Sequence, residues 1–288
     1  MAVVVVGDTA LDVIARHAGP IAHGDDSRAR ITLSAGGAGA NAAAWLAELG
    51  VGVTLVSRVG QDSAAAQARA ELTARGVCCA FTVDPDASTG CVVVLVDGTG
   101  QRTMLPDRGA NARLQASDLV DLSGAGHLHL SGYVLLDEAS RAAGVEVLAA
   151  ARAAGLTTSV DPQSVTLLRD RDAFVDAVRG VDLLLPNADE FRALGGKSLL
   201  DVVGAVAVTY GAEGAAWMER SSMVSVPALE VACVDTTGAG DAFNAGLLSA
   251  WLSGGSARAA LAAGVAAGAR AVGQVGAQPT QPTHPSMT

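Results

Sequence analysis

The stretch that most restricts how this chain can fold is Asp235-Thr236-Thr237-Gly238-Ala239-Gly240-Asp241-Ala242-Phe243. A short apolar run, residues 231–234, precedes it. Residues 242–252 follow with apolar side chains at helical spacing, interrupted by Asn244 and Ser249. The pattern predicts a strand, a glycine turn and a helix. Gly238 and Gly240 allow a tight turn and carry no side chain to obstruct a ligand. The amides of residues 238–241 then point outward from a helix N-terminus. Free N–H groups and the positive end of the helix dipole suit phosphate or developing negative charge there. An Asp in the first helical turn can simply complement that dipole. Beside a bound phosphate, however, a carboxylate is repulsive unless it has a second task, and the task that fits is general base. Asp241 would take a proton from an alcohol while the amides of Gly238, Ala239 and Gly240 hold the incoming phosphoryl group.

Composition narrows the partners. The 288 residues suffice for one large α/β domain or two small ones. Apolar residues make up 50 % but aromatics only 3 %, so the core is aliphatic and surfaces for stacking on bases are scarce. The net charge of −10 argues against nucleic acid or an anionic membrane as partner. Lys197 is the single lysine, which leaves phosphate contacts to arginine and backbone amides. Cys78, Cys79, Cys91 and Cys233 lack metal-ligand spacing and read as buried free thiols of a reducing cytosol. Residues 257–273 form the longest apolar stretch, broken by Arg258 and Arg270, and no run approaches the ~20 residues of a membrane span. With no leader pattern at the N-terminus, a cytoplasmic location is expected.

Along the chain, β-branched residues 3–6 predict a buried parallel strand ending at Gly7-Asp8. Residues 11–15 and 28–33 alternate, the latter as an edge strand. Gly36-Gly37-Ala38-Gly39-Ala40-Asn41 opens a helix over 42–49. Strands follow at 53–57, 127–130, 157–160, 182–185 and 205–209, and helices at 64–75, 138–153 and 172–179. Residues 90–96 and 102–105 predict a hairpin around the turn 97–100, and 216–219 with 223–226 a second one. Gly60 and Asp62 read as a strand-end turn and a helix cap. His127 and His129 alternate with leucines and read as structural, and Arg102 and Arg108 as solvated. Gly196-Lys197-Ser198 mimics the end of a P-loop but follows a helix instead of a strand, so it is set aside. The alternation predicts an α/β fold with a doubly wound, mostly parallel sheet.

Residues 235–246, Asp-Thr-Thr-Gly-Ala-Gly-Asp-Ala-Phe-Asn-Ala-Gly, resemble the C-terminal signature of the ribokinase-like (PfkB) family of carbohydrate kinases, and matches in family order run along nearly the whole chain. The glycine block 36–41 resembles the N-terminal Gly-Gly signature. Asn187-Ala188-Asp189-Glu190 resembles the Asn-x-x-Glu motif, and Thr209-Tyr210-Gly211-Ala212-Glu213-Gly214 the Thr-x-Gly-x-x-Gly element. The resemblance implies one kinase domain over 1–277, a flexible tail over 278–288, and a small β-sheet lid from about 12–34 and 90–105. It implies that Asp12, Gly36, Gly37, Asn41 and Asn111 bind substrate. Asn187, Thr209, Gly211 and Gly214 would bind ATP, and Glu190 would hold Mg²⁺ through water. Asp235, Thr237 and Gly276 would form a monovalent-cation site, with K⁺ as candidate. Ala38 stands where ribokinases usually carry Lys, which weakens ribose as the substrate. The expected reaction moves the γ-phosphoryl of ATP to a hydroxyl, primary in the favoured reading, of a monosaccharide; a homodimer through the lid is compatible with it.

Four alternatives stand beside this expectation. A nucleoside or pseudouridine kinase would need a base-binding surface, and a phosphosugar kinase positive side chains at the substrate end. A non-catalytic sugar-binding regulator would not need Asp241. A dinucleotide oxidoreductase would carry Gly-x-Gly-x-x-Gly after the first strand, which is absent.

Overall fold

The computed structural model describes residues 2–99 and 101–280. Gly100 of the predicted turn and residues 281–288 of the predicted tail lie outside the described residues. The strands in chain order are β1 (Ala2–Val6), β2 (Ala10–His17), β3 (Ala29–Gly36), β4 (Gly52–Gly60), β5 (Cys78–Asp84), β6 (Gly90–Val96) and β7 (Arg102–Asp107). They continue with β8 (Ala125–Ser131), β9 (Thr157–Asp161), β10 (Leu183–Leu184), β11 (Ala205–Thr209), β12 (Ala215–Met218) and β13 (Met223–Val226). The helices are α1 (Ala38–Glu48), α2 (Ser63–Ala74), α3 (Tyr133–Leu136), α4 (Glu138–Ala153), α5 (Arg171–Ala177), α6 (Ala188–Ala193), α7 (Ala239–Leu252) and α8 (Ala257–Val272).

Nine strands form one sheet in the order β13-β12-β11-β10-β9-β8-β1-β4-β5, in which β12 alone runs against the others. The chain winds outward from β1 in both directions, so the order reverses between β1 and β8. Ligands of open α/β sheets bind beyond the carboxyl ends of the strands at such a reversal. Here those ends are Gly7-Asp8, Ser131 and Asp161. The doubly wound, mostly parallel α/β fold is thus observed. On one face Val3, Val5, Val53 and Leu55 pack against α1, α7 and α8; on the other Val4, Val6, Val56 and Leu128 pack against α4 and α5. Alanine and glycine let the helices come close: a methyl on Gly264 would collide with Phe243, and one on Gly246 with Ala263.

A separate sheet, β3-β2-β6-β7, stands over the cleft side of this body. In register, Asp12 lies opposite Ser34 and Val92, and Arg16 opposite Arg30 and Val96. Val96 lies opposite Arg102 on β7. All seven therefore share one face.

Four expectations are corrected. Residues 231–234 form no strand: the Val234 amide donates to the Val272 carbonyl at the end of α8, and Val231 and Val234 are exposed. An unpredicted strand, β5, pairs with β4 at the opposite edge. Cys78, at the start of that edge strand, and Cys233, in the loop before α7, are exposed instead of buried, though all four thiols are free. Arg108 is not solvated, for its guanidinium forks onto both carboxylate oxygens of Asp8 at 2.8 Å and reaches Asp137 at 3.0 Å. Sequence spacing cannot reveal partners 100 and 29 residues away. His127 and His129 are structural as expected, buried and bonded to Thr157 and Ser159 on β9.

Removing one member of a buried ion pair strands the other. Arg108→Met is expected to destabilise the fold by about 3–5 kcal/mol, measured by urea unfolding; a loss below about 1 kcal/mol would place this pair among solvated ones.

Candidate active site

Gly238 caps α7 with φ of 72°, a left-handed conformation that suits glycine, and a methyl there would collide with the Ala277 carbonyl. The helix starts at Ala239, three residues earlier than the apolar pattern indicates, which puts Asp241 in its first turn. The Asp241 carboxylate accepts from Asn41 Nδ2 at 3.0 Å. Burial outweighs this bond and the lowering influence of the Gln163 side chain, and the nearby Asp12 charge adds to it, so the pKa rises from 3.8 to about 7. A carboxylate tuned to that value is matched to taking a proton near neutral pH.

Asn41 sits in the first turn of α1, after Gly37, whose φ of 93° and contact with the Asp8 carbonyl exclude a side chain. Asn41 is 6 % exposed, and its Oδ1 has no hydrogen-bond partner. Ser34 Oγ, Thr9 Oγ1 and Ser131 Oγ are buried and unpartnered as well. Such groups cost free energy unless a ligand or water satisfies them. Asp12 lies against Gly36, and burial raises its pKa to about 6. Asp12, Gly36, Gly37, Asn41 and Asp241 therefore come together.

Asn111 does not offer the free valence expected of it. Its Oδ1 accepts from Thr9 N and Ser57 Oγ, and its Nδ2 donates to the Thr9 and Arg108 carbonyls. Its capacity is filled in bracing the segment after β1.

Asn187 caps α6: its Oδ1 accepts from the amides of Asp189 and Glu190, and Glu190 Oε2 accepts from Asn187 N, a capping box. Asn187 Nδ2 has no partner among the described residues. Asn187, Thr209 and Gly211 line an open groove of about 990 Å³ together with Phe191 and Tyr210. Gly214 is absent from that lining; its φ of 100° and the adjacent Val226 carbonyl explain the glycine by the turn into β12. A smaller cavity of about 210 Å³ is bounded by Asn187, Glu190, Thr209, Asp161 and residues 238–241. This cavity shares Asn187 and Thr209 with the groove and extends to Asp241.

Three residues of this site were not anticipated. Asp161, at the end of β9, accepts from Asn244 Nδ2 at 2.6 Å and from Gln163 N at 3.0 Å. Gln163 has a φ of 73°, the one non-glycine residue among those described with positive φ. Asp161 could have been found from its place at a strand end, and Asn244 from its break in an apolar helix face. Nothing in the sequence signals the strained backbone of Gln163.

Burial and mutual repulsion raise the pKa of Asp161 well above the usual carboxylate range, with Glu190 and Asp241 as its charged neighbours; burial raises Glu190 too. That excess of negative charge fits a divalent cation. Among the described residues no three Asp, Glu, His or Cys side chains converge to chelate a metal directly, so contact through water suits Mg²⁺. The monovalent-cation site does not fit. Asp235 Oδ1 accepts from Arg102 Nη1 at 2.9 Å and from Thr237 N and Oγ1, and Asp235 Oδ2 accepts from the Gly276 amide. Arg102, expected in water, fills the place. Lys197 of the rejected P-loop mimic is exposed.

The description "pfkB family carbohydrate kinase" matches residues 2–284. The chain belongs to this family. It is 33 % identical to an ATP-dependent ribose-1-phosphate kinase of Halopiger xanaduensis, over 90 % of this chain and 87 % of that protein. It is 30 % identical to a fructokinase of Escherichia coli, covering 85 % and 82 %. The crystal structure of a Thermotoga maritima ribokinase superposes with a TM-score of 0.82 at 26 % identity, covering 96 % and 94 %. This pfkB-family kinase is a phosphotransferase with a hydroxyl acceptor, and its family uses ATP. No helix of its described residues is long and apolar enough to cross a membrane.

If Asp241 must be ionised, turnover is expected to rise about tenfold per pH unit up to about pH 7 and then level off. The same shift bears on stability. With a folded pKa of about 7 against 3.8 unfolded, the native state holds the extra proton between these values, so this contribution to stability is lost as pH rises through about 7. Asp241→Asn is therefore expected to melt higher than wild type at pH 8, with the advantage gone near pH 4. Melting curves at both pH values check this; an equal or lower melting temperature at pH 8 contradicts a desolvated carboxylate.

Proposed function

We propose that this kinase transfers the γ-phosphoryl group of ATP to a hydroxyl, primary in the favoured reading, of a monosaccharide. The observation that carries it is the pair Asn41–Asp241. One amide steadies the carboxylate with its Nδ2 while its orphaned Oδ1, beside the unpartnered hydroxyls of Ser34 and Thr9, remains for substrate hydroxyls. Asp12 and Asn41 orient the sugar. Asp241 takes the proton as the hydroxyl oxygen attacks the γ-phosphorus, the bond from that phosphorus to the β,γ-bridging oxygen breaks with ADP as the leaving group, and the amides of Gly238, Ala239 and Gly240 receive the charge on the transferring oxygens. Asn187, Thr209 and Gly211 hold the nucleotide. Glu190 and Asp161 would hold Mg²⁺ through water, and the ion supplies charge neutralisation at the phosphates. The small sheet acts as a lid that keeps water from competing as acceptor. Ile31, Leu33 and Leu105 are exposed on its opposite face, which suits pairing with a second copy.

A second reading, a sugar that already carries phosphate, is favoured by Arg16 and Arg30. They lie directly opposite each other on the Asp12 face of the lid, where like charges repel unless an anion sits between them.

The test is ADP release with Mg-ATP over ribose, fructose, ribose 1-phosphate, fructose phosphates and nucleosides. Sugar-dependent release that falls by about 10²–10⁴ in Asp241→Asn is expected. Undiminished release in the variant removes Asp241 as base; preference for nucleosides overturns the sugar reading. Arg16→Ser with Arg30→Ser should raise KM for phosphorylated sugars alone if the second reading holds.

A further inference from the structure

The loop 235–237 runs directly into the glycine turn at residues 238–240, and it carries a carboxylate that needs a counter-charge. Asp235 is ionised: its hydrogen bonds from Thr237 and Gly276, with the charge of Arg102, outweigh burial and hold its pKa below the ordinary value. The counter-charge comes from another part of the fold. Arg102 stands at the start of β7, at the edge of the small sheet, 133 residues away in sequence. Its Nη1 donates to Asp235 Oδ1 at 2.9 Å and to Thr237 Oγ1, and its Nη2 donates to Thr236 Oγ1. Thr237 Oγ1 gives its own proton to Asp235 Oδ1 at 2.6 Å, which frees its lone pairs for the guanidinium.

We infer that Arg102 is a built-in cation that takes the place of a monovalent metal ion at the 235–237 loop. Two observations on the chain's own atoms point the same way. Asp235 Oδ1 already accepts three donors, and Oδ2 accepts from the Gly276 N–H at 3.1 Å. A second positive charge placed among these oxygens would also meet the guanidinium at close range, in surroundings that screen it poorly. Arginine suits the task, because its planar donors can reach a carboxylate and two hydroxyls at once while a metal ion would need them to converge on a point.

A consequence follows for the reaction order. A metal ion can sit in such a loop whatever the small sheet does. Arg102 arrives only with that sheet, so closure over the sugar and ordering of the amides at residues 238–240 become one event. Arg102 acts through the loop, as a positioning residue.

The inference rests on the kinase reading only for its activity arm, and the primary measurement needs no turnover. Melting temperature is compared in KCl and in choline chloride at equal ionic strength, about 0.1 M. Wild type is expected to melt at the same temperature in both. Arg102→Met, which vacates Asp235, is expected to melt about 2–4 °C higher in KCl, as a newly opened K⁺ site would produce. A K⁺-specific rise in wild type overturns the inference, and this arm stands even if the variant does not fold. A folded variant that ignores K⁺ overturns it too. In the activity arm, K⁺ should restore kcat to Arg102→Met at least about tenfold and leave wild type unchanged. A loss of side-chain packing alone would give no ion-specific rescue.

Discussion

The hydrogen bond from Asn41 to Asp241 joins residues 200 positions apart, and the rest of the site is arranged around it. Each residue lies in the first turn of a helix, α1 or α7, and both helices start beyond the same edge of the large sheet. Their N-termini can meet because the helices pack through Ala40, Ala43 and Ala44 on one side and Ala242 and Ala245 on the other. Larger side chains there would force the axes apart, and the carboxylate would lose its partner. The aliphatic, alanine-rich composition is thus a condition of the chemistry.

Around that bond the protein gathers more negative charge than it neutralises. Asp12, Asp161, Glu190 and Asp241 all have raised pKa values, and burial leads in each. Coulomb repulsion in a poorly screened cleft favours binding partners that bring positive charge or donate hydrogen bonds. The proposed substrates would do so, one through the metal that accompanies its phosphates and the other through its hydroxyls. Such a site holds free energy against folding, which is a recurrent cost of a preorganised centre.

The glycine turn, the first strand and the βα alternation could be read directly, because each is a local pattern: a positive φ, a β-branched run, a helical period. Gly238 is a glycine for the reason that its place in the turn suggested. What could not be read was pairing across space. Arg102 and Arg108 looked like solvated charges because their partners, Asp235 and Asp8, lie far along the chain, and Asn111 looked like a ligand-binding amide because nothing local shows its four protein partners. The run 231–234 has the composition of a strand, yet the amide of Val234 is taken by the Val272 carbonyl at the end of α8 and not by a strand. Gln163 is the extreme case, a backbone conformation held by tertiary contacts against its intrinsic preference.

The two buried histidines have a bearing on this arrangement. Neutral at any physiological pH, with pKa values lowered by burial to about 3 and about 4, His127 and His129 spend their ring nitrogens on Thr157 and Ser159 of the next strand. Where both faces of a strand are apolar, the hydrophobic pattern alone distinguishes one register from another less sharply than in a half-exposed strand. A slip of β8 against β9 by one residue would leave two imidazoles unbonded in a dry interior, a penalty no apolar contact repays. The rings work as a key that admits one alignment. In that alignment Ser131 falls opposite Asp161, so the accuracy with which the cleft carboxylate is placed is set some four residues down the strand, by side chains that never touch a substrate.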